Sequence, residues 1–419
     1  MDTGDRYEVS DMGLAEQGKK NIAWAEMHMG ALMKIKERFG QEKPLRGVKI
    51  SMALHITKET AALARTLVAG GAQVAICSCN PLSTQDDAAA ALAQEGVFVY
   101  GYKGESTEDY YRFLRKVIAF GPNITIDDGC DLVTEIHKNY PQLIADIWGG
   151  NEETTTGIMR LKSMEKSKAL KYPIIAVNDN KTKHLTDNYY GTGQSTLDGI
   201  MRATNILFAG KTVVVCGYGS CGKGIALRAK GLGANVIVTE VDHFRALQAV
   251  FDGFRVMPLA AAVQCGDMFI TVTGNKHVID LEHMKKMKDG AVLANSGHFD
   301  VEIDVKGLEE HAEKQKIRPF LDEYRLDGKR LYVAAEGRLV NLSAAEGHPS
   351  TVMSLSFCGQ ALAVEYIVKN RGTLPIKVLL LPDELDDEIA RLQLGAMHVS
   401  IDMLTDEQKN YITSWEFGT

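Results

Sequence analysis

The chain lacks what several protein classes require. Its seven cysteines, Cys77, Cys79, Cys130, Cys216, Cys221, Cys265 and Cys358, are odd in number and contain no C-x-x-C pair. A disulfide framework is therefore not expected, and zinc-type spacing is absent. The cysteines read as small buried hydrophobes, with Cys79, beside a polar loop, the one of interest. Positive charge is not in excess: 47 Lys and Arg against 54 Asp and Glu leave a net charge of −7. Nucleic acid is then not the expected partner, and Lys285, Lys286 and Lys288 read as a solvated helix face. No apolar run approaches the ~18 residues of a membrane span. The opening Met-Asp-Thr-Gly-Asp-Arg lacks a charged-then-apolar leader. No membrane partner is expected, and a cytoplasmic location is. What is present is 419 residues of ordinary globular composition, enough for two or three domains.

The most informative stretch runs from Lys211 to Glu240. Thr212 to Cys216 is a β-branched run long enough for one buried strand. Gly217, Gly219 and Gly222 follow at G-x-G-x-x-G spacing. The first glycine permits the tight turn, the second lets backbone approach a pyrophosphate, and the third lets the next helix pack on the strand. That helix begins at Ser220, Cys221, Gly222, Lys223 and Gly224, and its N-terminus offers free N–H groups to phosphates. A second strand, Val236 to Thr239, ends in Glu240, 18 residues beyond Gly222. A carboxylate there accepts from a ribose 2′-OH and repels a 2′-phosphate, so NAD is expected rather than NADP.

An earlier segment echoes this one with a different turn. Val48 to Leu54 reads as a strand, Thr60 to Ala69 as a helix and Val74 to Cys77 as a strand. Between strand and helix stand His55, Ile56, Thr57, Lys58 and Glu59 instead of glycines. Such a turn presents side chains at a strand's carboxyl end, where open α/β sheets bind ligands. The expected class is α/β, with two Rossmann-like doubly wound units. Other strand ends are polar. Asp127-Asp128-Gly129-Cys130-Asp131 reads as a capped turn or an acidic loop, without the spacing of a hard-cation site, and no metal is expected. Glu152 to Gly157 reads as helix capping or as a binding string. Lys183 and Asp187 stand at i, i+4 and share a face if their segment is helical. Residues 181–196 read as a hinge, residues 1–45 as helical with Trp24, Met27, Leu32, Ile35 and Phe39 on one face, and 351–368 as a helix returning to the first unit. The aromatics Tyr411, Trp415 and Phe417 read as a docking tail.

Taken together, His55-x-Thr57-x-Glu59-Thr60, Ser83-Thr84-Gln85-Asp86, Asp127-Asp128-Gly129, Glu152 to Gly157, Asp187-Asn188, Gly297-His298-Phe299-Asp300, Glu336 to Leu342 and Gly347-His348-Pro349 resemble the S-adenosylhomocysteine hydrolase family over nearly the whole chain. The short length and the ending Ser414-Trp415-Glu416-x-Gly418-Thr419 are similar to its archaeal and thermophilic-bacterial branch. The resemblance implies a substrate domain (1–180, completed by about 350–380), an NAD domain (194–346), an oligomerisation tail (381–419) and a homotetramer. It implies reversible hydrolysis of S-adenosylhomocysteine to adenosine and homocysteine. NAD oxidises the ribose 3′-OH, the acidified C4′ proton leaves, homocysteine is expelled, water adds, and the ketone is reduced again.

The resemblance also implies roles. Lys183 and Asp187 engage the 3′-OH, with Lys183 a base whose pKa burial lowers. Asp131 is placed for the C4′ proton, and His55 and His298 serve as acid–base groups at C5′. Glu153 holds the 2′-OH. Thr57, Glu59 and His348 meet the adenine edge, with Leu342 and Met353 as walls. Thr154, Thr155, Thr156, Asn188, the Gly217–Gly224 turn, Glu240, Arg245, Asn275, Ser296, Gly297, His298 and Asn341 match NAD-contact positions, and His298-Phe299 resembles a gate. Three positions depart from the family pattern: Thr192 replaces a frequent cysteine, Arg245 a frequent asparagine, and Glu407 a tail lysine. The alternatives are S-inosylhomocysteine as substrate, a non-catalytic NAD-dependent binder, or a dehydrogenase with net redox turnover.

Overall fold

The structure is a computed structural model that describes residues 6–416. The leader expectation at residues 1–5 and the tail residues Phe417, Gly418 and Thr419 lie outside the described residues. The strands in chain order are β1 (Tyr7–Glu8), β2 (Lys49–Ala53), β3 (Gln73–Cys77), β4 (Phe98–Tyr100), β5 (Ile124–Asp127), β6 (Gly149–Glu152) and β7 (Ile174–Ala176). They are followed by β8 (Thr212–Cys216), β9 (Asn235–Thr239), β10 (Arg255–Val256), β11 (Met268–Thr271) and β12 (Ala291–Asn295). The antiparallel-paired β13 (Glu313–Arg318), β14 (Leu321–Leu326) and β15 (Lys329–Ala334) come next, and β16 (Val378–Leu379) is last. They form two eight-stranded sheets, ordered β1-β4-β3-β2-β5-β6-β7-β16 and β10-β9-β8-β11-β12-β15-β14-β13.

The first sheet is parallel throughout, and the second is parallel from β10 to β15. Parallel strands need crossover helices on both faces, which explains their continuous apolar runs. Val213, Val214 and Val215 in β8 are fully buried, as are Ile50, Met52 and Ala53 in β2. Two Rossmann-like α/β units result, as the repeated strand–helix–strand pattern implied.

Two local expectations need correction. Residues 1–45 are not all helical. β1 pairs with β4 at the sheet edge, with Tyr7 opposite Val99, before helices at Ala15–Met27 and Gly30–Glu42. A two-residue edge strand has no periodicity to read. Of the expected apolar face, Leu32, Ile35 and Phe39 are buried, but Trp24 (59% exposed) and Met27 (73%) face outward, because the first helix buries the opposite stripe of Ala15, Gly18, Ile22 and Ala25. The segment 181–196 is also helical. Lys181–Lys183 runs through a π-helical stretch, His184–Gly191, into the helix Thr192–Thr204.

The helix Ser350–Lys369 returns to the first sheet, where Phe357, Leu362 and Ile367 join Leu32, Ile35 and Leu63 in one core. By length and composition alone it passes the test for a membrane span, although Ser, Gln and Glu interrupt its apolar residues. It is 72% buried within the protein, and a core helix meets the same criteria. Asp383–Ala396 is a helix whose Ile389 enters that same core. Exposure dominates only from Met397 onward.

Candidate active site

A central reversal of strand order lies between β2 and β5 in the first sheet and between β8 and β11 in the second. At such a switch point the crossovers leave on opposite faces and open a crevice at the strands' carboxyl ends. Register aligns these ends: Ala53 stands opposite Asp127, and Cys216 opposite Thr271. The first crevice carries His55 to Glu59 and the Asp127 loop; the second carries the glycine turn and Thr273. One cavity joins both, lined by residues of each unit.

The glycine turn has the form its spacing predicted. Gly217 has φ +106°, which side-chain-bearing residues rarely adopt. A Cβ on Gly222 would be driven into the Gly217 carbonyl. At Gly219 a Cβ would meet nothing nearer than Arg245 Nη1 at 3.7 Å, so the backbone lies open to a phosphate. Glu240 directly follows β9 and accepts from the Tyr218 and Val241 amides, both at 2.7 Å. Ser220 Oγ is 2.7 Å from His184 Nε2, and Lys223 lies over the Tyr218 ring. Gly224 packs against the Tyr189 carbonyl of the π-helical stretch, a contact that spacing did not foretell.

Cys221, Asn188, Thr154, Ser296, His298 and Asn341 line the cavity. Asn341 Oδ1 is buried without a hydrogen-bond partner, an acceptor that a carboxamide would satisfy. Thr155 Oγ1 accepts from Asn178, Thr156 approaches Gly274, and Gly297 is clamped between Asn295 and Glu302. Asn275 is exposed on the loop after β11. Together these residues fit a dinucleotide.

At the centre, Lys183 Nζ lies 3.1 Å from Asp187 Oδ1 and 3.7 Å from Glu153 Oε1. It donates to Asn178 Oδ1 at 2.9 Å and to Asn188 Oδ1 at 3.1 Å. All of these side chains are buried. Burial works against the ammonium charge, but Asp187 and Glu153 outweigh it and hold Lys183 above the ordinary lysine value. This overturns the expectation that burial lowers its pKa: two carboxylates surround it. Burial alone would raise Asp187, yet Lys183 and His348 hold it below the usual carboxylate range. Glu153 is pushed upward by burial, and it accepts from Ser356 and Gln360.

At the other end, His55 Nε2 is 3.4 Å from Asp128 Oδ2, and His298 Nδ1 is 3.7 Å from Asp128 Oδ1. Burial pushes His55 down to about 4, against the pull of Asp128. Burial, then Asp128 nearby, pushes the Cys79 thiol well up, so it is no ready thiolate. Asp131 does not line the cavity, contrary to expectation. Its carboxylate is held by Arg160 (2.6 Å) and Tyr110 (2.9 Å), because left-handed Cys130 (φ +67°) makes Asp131 the first residue of a helix facing them. Asp128, which sequence reasoning left as a capped turn, is the carboxylate that faces the cavity. Ligand atoms of His55, Asp128 and His298 lie within 4.8 Å of one another. Spacing has no view of such a set, since its members come from separate loops.

Thr57, Glu59, Leu342, Met353 and His348 line the remaining wall, with Leu54, Leu339, Glu346 and Phe357 unforeseen. Glu59 is 2% exposed, and its Oε1 accepts from Ser350 at 2.7 Å. Lys58 Nζ is buried between Glu59 Oε1 at 3.4 Å and Glu346 Oε2 at 2.9 Å. The His348 ring nitrogens face Asp187 (3.1 Å) and Thr192 (3.3 Å), so they are engaged there rather than free for a base edge.

The family model for S-adenosyl-L-homocysteine hydrolase matches residues 6–141, and that for its NAD binding domain matches residues 188–347. An adenosylhomocysteinase from Saccharolobus solfataricus is 59% identical, covering 99% of this chain and 100% of its own length. The chain belongs to the S-adenosyl-L-homocysteine hydrolase family. Other members are an adenosylhomocysteinase from Aquifex aeolicus (58%) and an S-inosyl-L-homocysteine hydrolase from Methanocaldococcus jannaschii (57%), each matched over 99% of this chain and 100% of its own length. The NAD-binding match spans the glycine turn, and NAD is the cofactor. In fold alone, the chain resembles a dipicolinate synthase polypeptide from Bacillus halodurans, with TM-score 0.50 and 12% identity over 78% of this chain and 99% of that one.

Proposed function

We propose that the protein reversibly hydrolyses S-adenosyl-L-homocysteine to adenosine and L-homocysteine. The observation that carries this reading is one cavity joining a dinucleotide turn, a buried Lys183–Asp187–Glu153 cluster and a His55–Asp128–His298 cluster. The glycine turn, Glu240, Asn188, Ser296 and Asn341 hold NAD, which when bound takes a hydride from the ribose 3′ carbon and later returns it. Lys183 binds the 3′ oxygen and passes its proton within the cluster, while Glu153 orients the 2′-OH. Their polar neighbours exclude bulk water from the reacting carbon. His55 and His298 move protons at C5′, with Asp128 between them.

Glu59 and Thr57 read the base, and Leu342 and Met353 form its walls. Glu59 lines the cavity and Lys58, its ion-pair partner, does not, so a carboxylate meets the base, which favours the adenine amino group over the O6 acceptor of hypoxanthine. The inosyl reading is supported by two relatives named for that substrate, 57% and 54% identical. Separate cores under the two sheets support a substrate domain of 1–180 completed by 350–380 and an NAD domain of 194–346. His298-Phe299, with ring centroids 4.7 Å apart, is a candidate gate. Exposed Phe244 (76%), Phe251 (80%) and Trp415 (91%) fit burial between the protomers of a homotetramer in the cytoplasm.

Thiol release from the adenosyl and inosyl compounds, measured side by side without added NAD, tests the reading. Release from the adenosyl compound is expected. Release from the inosyl compound alone would overturn the reading of Glu59, and none from either, even with NAD supplied, would favour a non-catalytic binder.

A further inference from the structure

The motif Ser83-Thr84-Gln85-Asp86 has no part in the reaction described above, and Ser83 does not line the cavity. Its loop is stapled to the turn that carries His55. Gln85 donates its backbone N–H to the Ile56 carbonyl at 2.8 Å, and its side-chain oxygen accepts from the Lys58 amide at 2.9 Å. Ser83 Oγ lies 2.7 Å from His55 Nδ1. The loop is itself braced, since Asn80 Oδ1 accepts from the Leu82 amide at 2.9 Å and Gly104 donates to the Pro81 carbonyl at 2.7 Å.

A serine hydroxyl has one hydrogen to give. The Asn80 carbonyl, 3.0 Å from Ser83 Oγ, can only accept, so the hydroxyl donates to it. Toward His55 the same oxygen can then only accept. We infer that Ser83 is a positioning residue that fixes the tautomer of His55: Nδ1 keeps its hydrogen on Ser83, and Nε2 is the atom that gives and takes the proton at C5′. The inference rests on the hydrolase reading above. Nε2 faces Asp128 Oδ2 at 3.4 Å, so the imidazolium formed when Nε2 takes up a proton stands beside a carboxylate, and that form gives the proton back.

The steps balance with this proton. In elimination the C4′ hydrogen leaves as a proton and its electron pair forms the C4′–C5′ double bond. The C5′–S bond breaks with its pair on sulfur, and the Nε2 proton passes to sulfur. In hydration the water oxygen bonds to C5′, one water proton returns to Nε2, and C4′ regains a proton from the group that took it.

The test uses the holoenzyme with Ser83→Ala and Ser83→Thr. In a single turnover with S-adenosylhomocysteine, NADH absorbance reads 3′-oxidation and a thiol reagent reads elimination. In Ser83→Ala, NADH is expected to form at the unsubstituted rate while thiol release slows at least about tenfold, below the ~10²–10⁴ of a whole acid–base group. Ser83→Thr, which keeps the hydroxyl, should recover most of the loss. Equal slowing of both signals without rescue by threonine would overturn the inference, as would unchanged thiol release in Ser83→Ala. A second measurement needs no Ser83 variant. The ¹⁵N-histidine spectrum of the unsubstituted holoenzyme, with His55 assigned by its loss in His55→Asn, should show Nδ1 protonated, and a bare Nδ1 overturns the inference. If the unsubstituted enzyme releases no thiol, the hydrolase reading fails instead, and the spectrum still decides the tautomer.

Discussion

The turns after β2 and β8 occupy equivalent places, each at a reversal of strand order and each leading into a helix. They work by opposite means. After β8 the main chain is the instrument: a positive-φ glycine, an open backbone at Gly219 and a helix packed close through Gly222. After β2 the side chains are the instrument, with His55, Thr57 and Glu59 facing the cavity. Buried charge divides the same way. Burial pushes Asp127, Glu152 and Glu153 upward beside the first sheet, whereas Glu302 is the sole raised carboxylate resolved beside the second among the described residues. A binding turn for an anionic cofactor needs amides and room. A turn that moves protons needs titratable groups whose values their surroundings have shifted.

Substitutions on the two sides should therefore fail differently. The largest effect is expected at Gly222→Ala, where the added carbon has only the Gly217 carbonyl to displace. Bound NAD measured after purification should fall to near zero and activity by more than about a hundredfold, since an ångström of misplacement at a reacting centre costs that much. A stoichiometric NAD content would break the comparison. Lys183→Met comes next. NAD should stay bound, but NADH formation in a single turnover should slow by about 10²–10⁴. Loss of NAD instead would place Lys183 with the cofactor-binding turn. Glu59→Gln gives the base a donor and removes a charge. The ratio of adenosyl to inosyl turnover should drop by roughly ten- to a hundredfold, the worth of one charge-assisted hydrogen bond, and an unchanged ratio would show that Glu59 does not read the base.

The smallest effect concerns stability. Glu105, buried beneath the loop after β4, is pushed by burial up to about 7 against the bond from Ser78. Its folded-state value lies above the unfolded one, so folded protein binds the extra proton between about pH 4.5 and 7. Its contribution to stability is full below that window and is lost as pH rises through it. Thermal midpoints of Glu105→Gln and the unsubstituted protein, scanned over this window, should diverge in favour of the variant as pH rises. Parallel curves would contradict the shift.

What was legible in the sequence follows the same division. A glycine turn is written as spacing, because backbone geometry constrains residue type at each step. The pair Lys183 and Asp187 was legible as i, i+4, and the 3.1 Å contact survives even though the segment is π-helical there, a conformation with no simple sequence signature. Asp128 and Asp131 were not separable. Both belong to one polar string, and only the left-handed turn at Cys130 decides which carboxylate meets the cavity. The rise in the pKa of Lys183 was only half legible: Asp187, its i, i+4 partner, is the larger cause, and Glu153 arrives from the end of β6. Trp24 and Met27 fit an apolar face on paper, but their helix packs through its small-residue stripe, Ala15, Gly18, Ile22 and Ala25, and leaves them outside.

The central claim is that an oxidation and a reduction are both hidden inside a net hydrolysis. The most direct test follows the purified protein through many turnovers of S-adenosylhomocysteine with no added NAD, counting adenosine and thiol formed while NADH absorbance is recorded. Adenosine and thiol are expected in equal amounts, far in excess of protein, with NADH never exceeding the bound cofactor. Product formation that stops at one equivalent, or NADH that grows with each turnover once NAD is supplied, would contradict it.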